Sequence, residues 1–154
     1  MKRTLAILTA ALCAVFLAAA QDSGLNASAE NITGTYYVSH EGENSKVRIF
    51  RDTDGTFTAQ VIWVENSLDG NGNIRLDEKN PDKSLRNTPC DRIILIEKLE
   101  YNPGKKRWDN GKIYDPTRGI RANATCSFDS PSILRVRGSL MGFGETVFWE
   151  KTGK

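Results

Sequence analysis

The stretch "IRANATCSFDSPSILRVR", Ile120 to Arg137, decides the fold class of this chain. It opens with strict alternation. Ile120, Ala122, Ala124, Cys126 and Phe128 fall on one side, and Arg121, Asn123, Thr125 and Ser127 on the other. Successive side chains of a strand point to opposite faces, so this pattern predicts a strand with one dry face and one wet face. Asp129 to Pro131 then turns the chain, and Leu134 and Val136 alternate with Arg135 and Arg137. Two such runs joined by a tight turn predict an antiparallel hairpin.

The same rhythm extends outward. Thr35–His40 is rich in β-formers, and Val47 and Ile49 oppose Lys46 and Arg48. Phe57, Ala59, Val61 and Trp63 oppose Thr58 and Gln60, with a hairpin turn at Asp52–Gly55 between these two runs. Ile93 to Ile96 is continuously apolar, which predicts a strand in Arg92–Tyr101 covered on both faces. Asn102–Gly104 turns the chain again. Asn110-Gly111 predicts a type I′ turn between Lys106–Trp108 and Lys112–Tyr114, because both of its central residues need positive φ. Asp115–Gly119 is a further turn, and Glu145–Glu150 is the last strand. The sum is about eight or nine short strands with no helix-length periodic segment. The predicted fold is all-β, a small antiparallel up-and-down barrel of about eight strands, in which closure removes exposed edges.

One segment breaks the rhythm. Glu65 to Thr88 is polar and turn-rich, with Asn80 as a helix N-cap, Pro81 at the first helical position and a short helix through Leu85 or Arg86. A loop of this length in a small domain is usually functional, disordered or a lid.

The N-terminus reads as an export signal. Lys2 and Arg3 precede an apolar run from Leu5 to Leu17, and Ala18 to Ala20 form a small-residue cleavage site. The run is shorter than the ~20 apolar residues of a spanning helix. Cys13 sits inside it after Leu12, so there is no lipobox. The expectation is a cleaved signal peptide over 1–20, a flexible lead over 21–33 and one domain over 34–154, periplasmic or secreted and not membrane-spanning after cleavage. Loss of Lys2 and Arg3 takes the basic count from 21 to 19, equal to the 19 acidic residues. A neutral chain lacks the basic surface that nucleic acid requires.

Cleavage would leave Cys90 and Cys126. Export permits a disulfide between them, closing a 36-residue span worth about 3–4 kcal/mol on the chain-entropy model. Alternatively they are separate thiols, with Cys126 a small core residue in its alternating row.

Catalytic inventories are short. His40 is the single histidine, which leaves no multi-histidine zinc site and forces any Ser or Cys triad through one residue. Asp69, Asn71 and Asn73 imitate the start of a calcium loop. Ile74 stands where such a loop needs Gly, however, and Asn80 where it needs Glu. Asp109 with Asp115, and Asp77 with Asp82, are candidate acid–base pairs for a carboxylate-based hydrolase, although Asp beside Gly or Pro is ordinary turn chemistry. The chain is therefore read as a non-enzyme with no cofactor and no metal site. Asn26, Asn31 and Asn123 begin glycosylation sequons, which matter only in a host that glycosylates.

Trp108 to Gly119 has the pattern W-x-x-G-x-I-Y-D-P-x-x-G. Together with Gly34-x-Tyr36, Ile62-Trp63, Asn80-Pro81-Asp82, Leu85-Arg86, Leu134-x-Val136-x-Gly138 and Trp149, it resembles the bacterial exported family known as domain of unknown function 2147. The resemblance spans Gly34 to Trp149, and departs where Tyr36 replaces a usual Trp and where Cys90 follows Arg86. It implies a lipocalin-like barrel in a bacterial envelope and no established activity, so it carries no catalytic residues.

Two functions follow as expectations. In the first, Phe57, Val61, Trp63, Phe128 and Trp149 line a cavity for a small apolar molecule, with the long loop over its mouth. The same aromatics could instead fill an eight-stranded interior completely. In the second, an envelope protein partner docks on a surface rim of Asn80, Asp82, Arg86, Trp108, Tyr114, Asp115 and Arg118.

Overall fold

The computed structural model describes residues 24–154. The signal-peptide reading of 1–20 lies outside them. Eight antiparallel strands run in order around one closed barrel: β1 (Gly34–His40), β2 (Glu43–Arg51), β3 (Phe57–Val64), β4 (Ile94–Asn102), β5 (Arg107–Asp115), β6 (Ile120–Ser130), β7 (Ile133–Leu140) and β8 (Phe143–Gly153). β8 closes on β1 through Tyr36↔Lys151 and Tyr37↔Glu150. The hairpin of Ile120–Arg137 is β6–β7, in the register Cys126↔Val136 and Phe128↔Leu134.

The up-and-down order sorts every connection to one of two ends. Turns 52–56, 103–106 and 131–132 lie at one end. Turns 41–42, 116–119 and 141–142, with the long segment 65–93, lie at the other. The first end is closed by the chain that precedes β1. Residues 24–33, read from sequence as a flexible lead, are instead a plug with a 3₁₀ turn at Ala29–Ile32. Ile32 is fully buried. The Asn26 side chain accepts from the Phe128 amide and donates to its carbonyl, while Tyr101 Oη donates to the Asn26 carbonyl and Trp108 Nε1 to that of Ala29. A polar, small-residue segment gives no sign of this in sequence, because its partners are aromatic side chains of distant strands.

Several local expectations are corrected by bulges. Asn110-Gly111 does not turn the chain. It lies inside β5, where the register to β6 jumps between Trp108 and Gly111 and Asn110 holds φ 62°. Positive φ is what the dipeptide encodes, and a bulge uses it as well as a hairpin does. At Gly111 a Cβ would stand 2.9–3.1 Å from Leu99, so the strand can pack there only without a side chain. Between β2 and β3 the register slips, pairing Lys46 with Trp63 but Val47 with Val61. The extra residue flips the face. Val64 turns inward, and Trp63 is 41% exposed on the outer wall beneath Lys46 Nζ, 5.5 Å from its ring. Ile94 likewise faces outward, so the Ile93–Ile96 run is not covered on both sides.

In the long segment the N-cap is Asp82, not Asn80. Its carboxylate accepts from the Ser84 amide, at 2.9 Å, at the start of a single 3₁₀ turn, Lys83–Leu85. Asp69 accepts from the amides of Asn71 and Asn73, a side-chain-stabilised turn. Both Cys90 and Cys126 are buried and free. Cys126 is a core residue of β6, whereas Cys90 sits in the 3₁₀ turn Cys90–Arg92 with Sγ 3.7 Å from the Ser67 carbonyl, so the disulfide does not form.

Candidate functional site: a cavity under the long segment

The aromatics divide the barrel interior into a filled half and an open half. Trp108 is fully buried beneath the plug, with Tyr101 at 5.2 Å and Phe128 at 5.9 Å between ring centroids. Phe57 and Phe128 belong to this filled half. Above it, small and aliphatic residues (Val61, Ile113, Ala122, Gly138, Val147) leave a cavity of about 910 Å³, with Trp149 among its walls. That volume lies within the range of ligand pockets. Of the five residues expected to line it, Val61 and Trp149 do, Phe57 and Phe128 pack in the closed end, and Trp63 is outside. Val38, Val64 and Ile93 also line it. Alternation did not mark Val64, which only the β2–β3 bulge turns inward, and no alternation shows where along the barrel the filling stops.

The mouth is built from the two turn regions that interrupt the pattern. Arg75 to Lys79 of the long segment cross it, and the turn 116–119 holds them there. Lys79 Nζ donates to the Thr117 carbonyl at 2.6 Å. At Gly119, φ 68°, a Cβ would lie 2.4 Å from the Lys79 carbonyl oxygen. The segment is also latched from inside. Tyr114 Oη donates to Asp77 Oδ1 at 2.6 Å, and Asn80 Nδ2 donates to Asp77 Oδ2 at 2.7 Å. Burial, followed by the neighbouring Asp77 carboxylate, pushes the Tyr114 hydroxyl well above its ordinary pKa, so it stays a donor.

These contacts give W-x-x-G-x-I-Y-D-P-x-x-G a physical meaning. Trp108 fastens the plug, Gly111 admits Leu99, Ile113 lines the cavity and Tyr114 latches the crossing segment. Asp115 accepts from the Thr117 amide at 2.9 Å to shape the turn, and Gly119 lets the Lys79 backbone approach.

The proposed surface rim is therefore corrected. Trp108, Tyr114 and Asn80 are buried. Asp82 and Arg86 are exposed on the long segment, Arg86 donating to the Asn80 carbonyl. Asp115 and Arg118 do lie at the mouth, where Arg118 bridges Glu41, Glu145 at 2.8 Å and Asp115 at 3.5 Å. His40 Nε2 stands 3.7 Å from Asp115. His40, Glu41 and Asp115 offer one nitrogen and two oxygens within 4.8 Å of one another, a donor set for a cation, with the Arg118 guanidinium already among them. The acid–base pairs are not assembled. Asp109 and Asp115 stand at opposite ends of β5, roughly 20 Å apart at ~3.3 Å per residue. Asp77 points inward while Asp82 caps an outer turn.

Sequence had not marked the hairpin Leu140–Phe143, which also edges the mouth. Met141 is 91% and Phe143 83% exposed. Met141 takes φ 51° in a turn that favours Asn or Gly there. An apolar residue accepting that conformation was a signal legible in "LMGF".

No protein of curated function matches the chain. A solved protein from the human pathogen Helicobacter pylori, described as belonging to the lipocalin family, superimposes with a TM-score of 0.62 at 25% identity, covering 78% of this chain and 82% of that one. Residues 34–151 match the family described as "Uncharacterized protein conserved in bacteria (DUF2147)". With the closed barrel, the floor of aromatics and the latched mouth in place, the chain belongs to that bacterial family, on a lipocalin-like fold.

Proposed function

We propose that the protein is an exported envelope protein that binds a small apolar or amphiphilic molecule in the barrel. The observation that carries this reading is the cavity of about 910 Å³ walled by Val61, Ile113, Ala122, Val147 and Trp149. A domain that folded for stability alone would fill such a space, because interiors close-pack and each void forfeits contacts. The exposed Met141 and Phe143 at its edge give an apolar chain a path from surface to interior. The likeness to a protein described as a lipocalin points the same way. The sequence expectation of a partner on the Tyr114–Arg118 turn finds less support, since Tyr114 is committed to Asp77 and Arg118 to three carboxylates.

Ala122→Trp tests this. Its side chain enters open space, so the variant should keep its fold by circular dichroism while its affinity for a fluorescent neutral lipid probe falls at least tenfold. Equal probe affinity in the two proteins would refute binding inside the barrel.

A further inference from the structure

The polar end of the cavity has a sign. Glu43, Asp77, Glu78, Asp115 and Glu145 line it, and Glu41 joins them through Arg118. Against these six carboxylates stand Arg75, Lys79 and Arg118. With His40 neutral, the mouth carries a net charge of −3 in a chain that is neutral once Lys2 and Arg3 are left out, so the remainder is correspondingly positive. The pairing is uneven. Glu43 takes both terminal nitrogens of Arg75, at 3.1 and 2.9 Å, and is satisfied. Among the described residues Arg118 is the one lysine or arginine that pairs with Glu41, Asp115 and Glu145, beside the neutral Thr117 hydroxyl on Glu41 and Asp115 and His40 at 3.7 Å from Asp115.

Asp77 is the unusual member. It is 4% exposed and lines the cavity, yet its two hydrogen bonds come from neutral donors, Tyr114 and Asn80. No ion pair reaches it among the described residues. A carboxylate buried this deeply is ordinarily paired with a cation. Its oxygens hold more acceptor sites than those two donors fill.

Resting on the cavity reading above, we infer that the ligand is an amphiphile with a cationic head, an amine or quaternary ammonium, whose apolar chain enters the barrel and whose head sits in the acidic mouth against Asp77. A free fatty acid would bring a carboxylate against an excess of carboxylates. An apolar chain buried in the barrel would hold its head at this level, where water is displaced and Coulomb terms are stronger than in bulk solvent.

Three ligands of one chain length separate the terms. Dodecylammonium, dodecanol and dodecanoate, each below its aggregation limit, are titrated against the purified protein. Displacement of a neutral fluorescent probe is read in low salt and in 0.5 M salt. The expected order is ammonium, then alcohol, then carboxylate, with at least tenfold between the charged pair and a narrower gap in high salt. Asp77→Asn, and separately Glu41→Gln with Glu145→Gln, should weaken dodecylammonium severalfold more than dodecanol. Dodecanoate binding as tightly as dodecylammonium overturns the charge inference and leaves the cavity reading standing. If none of the three displaces the probe, the cavity reading fails and this inference falls with it.

Discussion

At the scale of single residues, β5 carries the contacts that fasten both the plug and the crossing segment. Tyr114 shows why. Its hydroxyl satisfies an oxygen of the buried Asp77, and that bond fastens the crossing segment to the barrel wall. In Tyr114→Phe the carboxylate stays buried with one donor fewer, a loss of about 1–3 kcal/mol. Chemical denaturation should report that loss. Hydrogen exchange should report it selectively, as faster exchange of the Asp77 and Cys90 amides, which bond to the Thr88 and Arg75 carbonyls within the crossing segment. An unchanged exchange pattern would mean the latch is not what holds the segment. The hydroxyl could not have been assigned from sequence, because Asp77 lies 37 residues away in a segment with no periodicity.

At the scale of elements, the two ends of the barrel are closed differently. The lower end is sealed by the plug, whose backbone carbonyls are satisfied by Tyr36, Tyr101 and Trp108. Trp108→Phe keeps an aromatic ring in the core but orphans the Ala29 carbonyl and shrinks the packing against Phe128. A destabilisation of roughly 1–3 kcal/mol follows from the lost hydrogen bond and the small void, measured as a lower urea midpoint. Proteolysis within residues 24–33 should become easier in that variant, and equal protease resistance would argue that the plug is held elsewhere. Alternation identified most of the strands but put Trp63 on the inner face, and turn chemistry put a hairpin at Asn110-Gly111, two misses with a common cause. A bulge inserts one residue, reverses the faces beyond it and leaves no mark in the pattern until the partner strand is known.

At the scale of the whole molecule, hydrogen-bonded carboxylates are expected to shape how stability falls in acid. Glu41, Asp54, Asp69, Asp82 and Asp115 all have carboxyls held below their ordinary range. The causes are the Thr117 hydroxyl and Arg118 for Glu41, Lys98 and Thr56 for Asp54, backbone amides for Asp69, and Ser84 for Asp82. Burial alone would push Asp115 up, but the Thr117 hydroxyl and the Thr117 and Arg118 amides outweigh it. A folded pKa below the unfolded value means the unfolded chain binds more protons in that window. The stabilisation is then complete above the unfolded carboxyl pKa of about 4 and is lost as pH falls through the folded values. The melting temperature should be flat between about pH 5 and 7 for these groups and should fall steadily below about pH 4. A melting temperature unchanged down to pH 2 would show that these contacts contribute nothing net.

By itself the sequence determined the fold class, the strand order and the positions of most turns. Period-two alternation and turn chemistry are local properties, and consecutive hairpins leave few ways to close a sheet. The family pattern around Trp108 to Gly119 was equally legible as a motif, though not as a clamp between plug and crossing segment. Only the tertiary structure decided which inward side chains fill the barrel and which border open space, that Asp77 is buried with no ion pair among the described residues, and that the carboxylates of Glu41, Glu43, Asp77, Glu78, Asp115 and Glu145 share one mouth. Those facts depend on distances between residues far apart in the chain. Such distances are fixed by packing and bulges, not by any property of the residues taken in order.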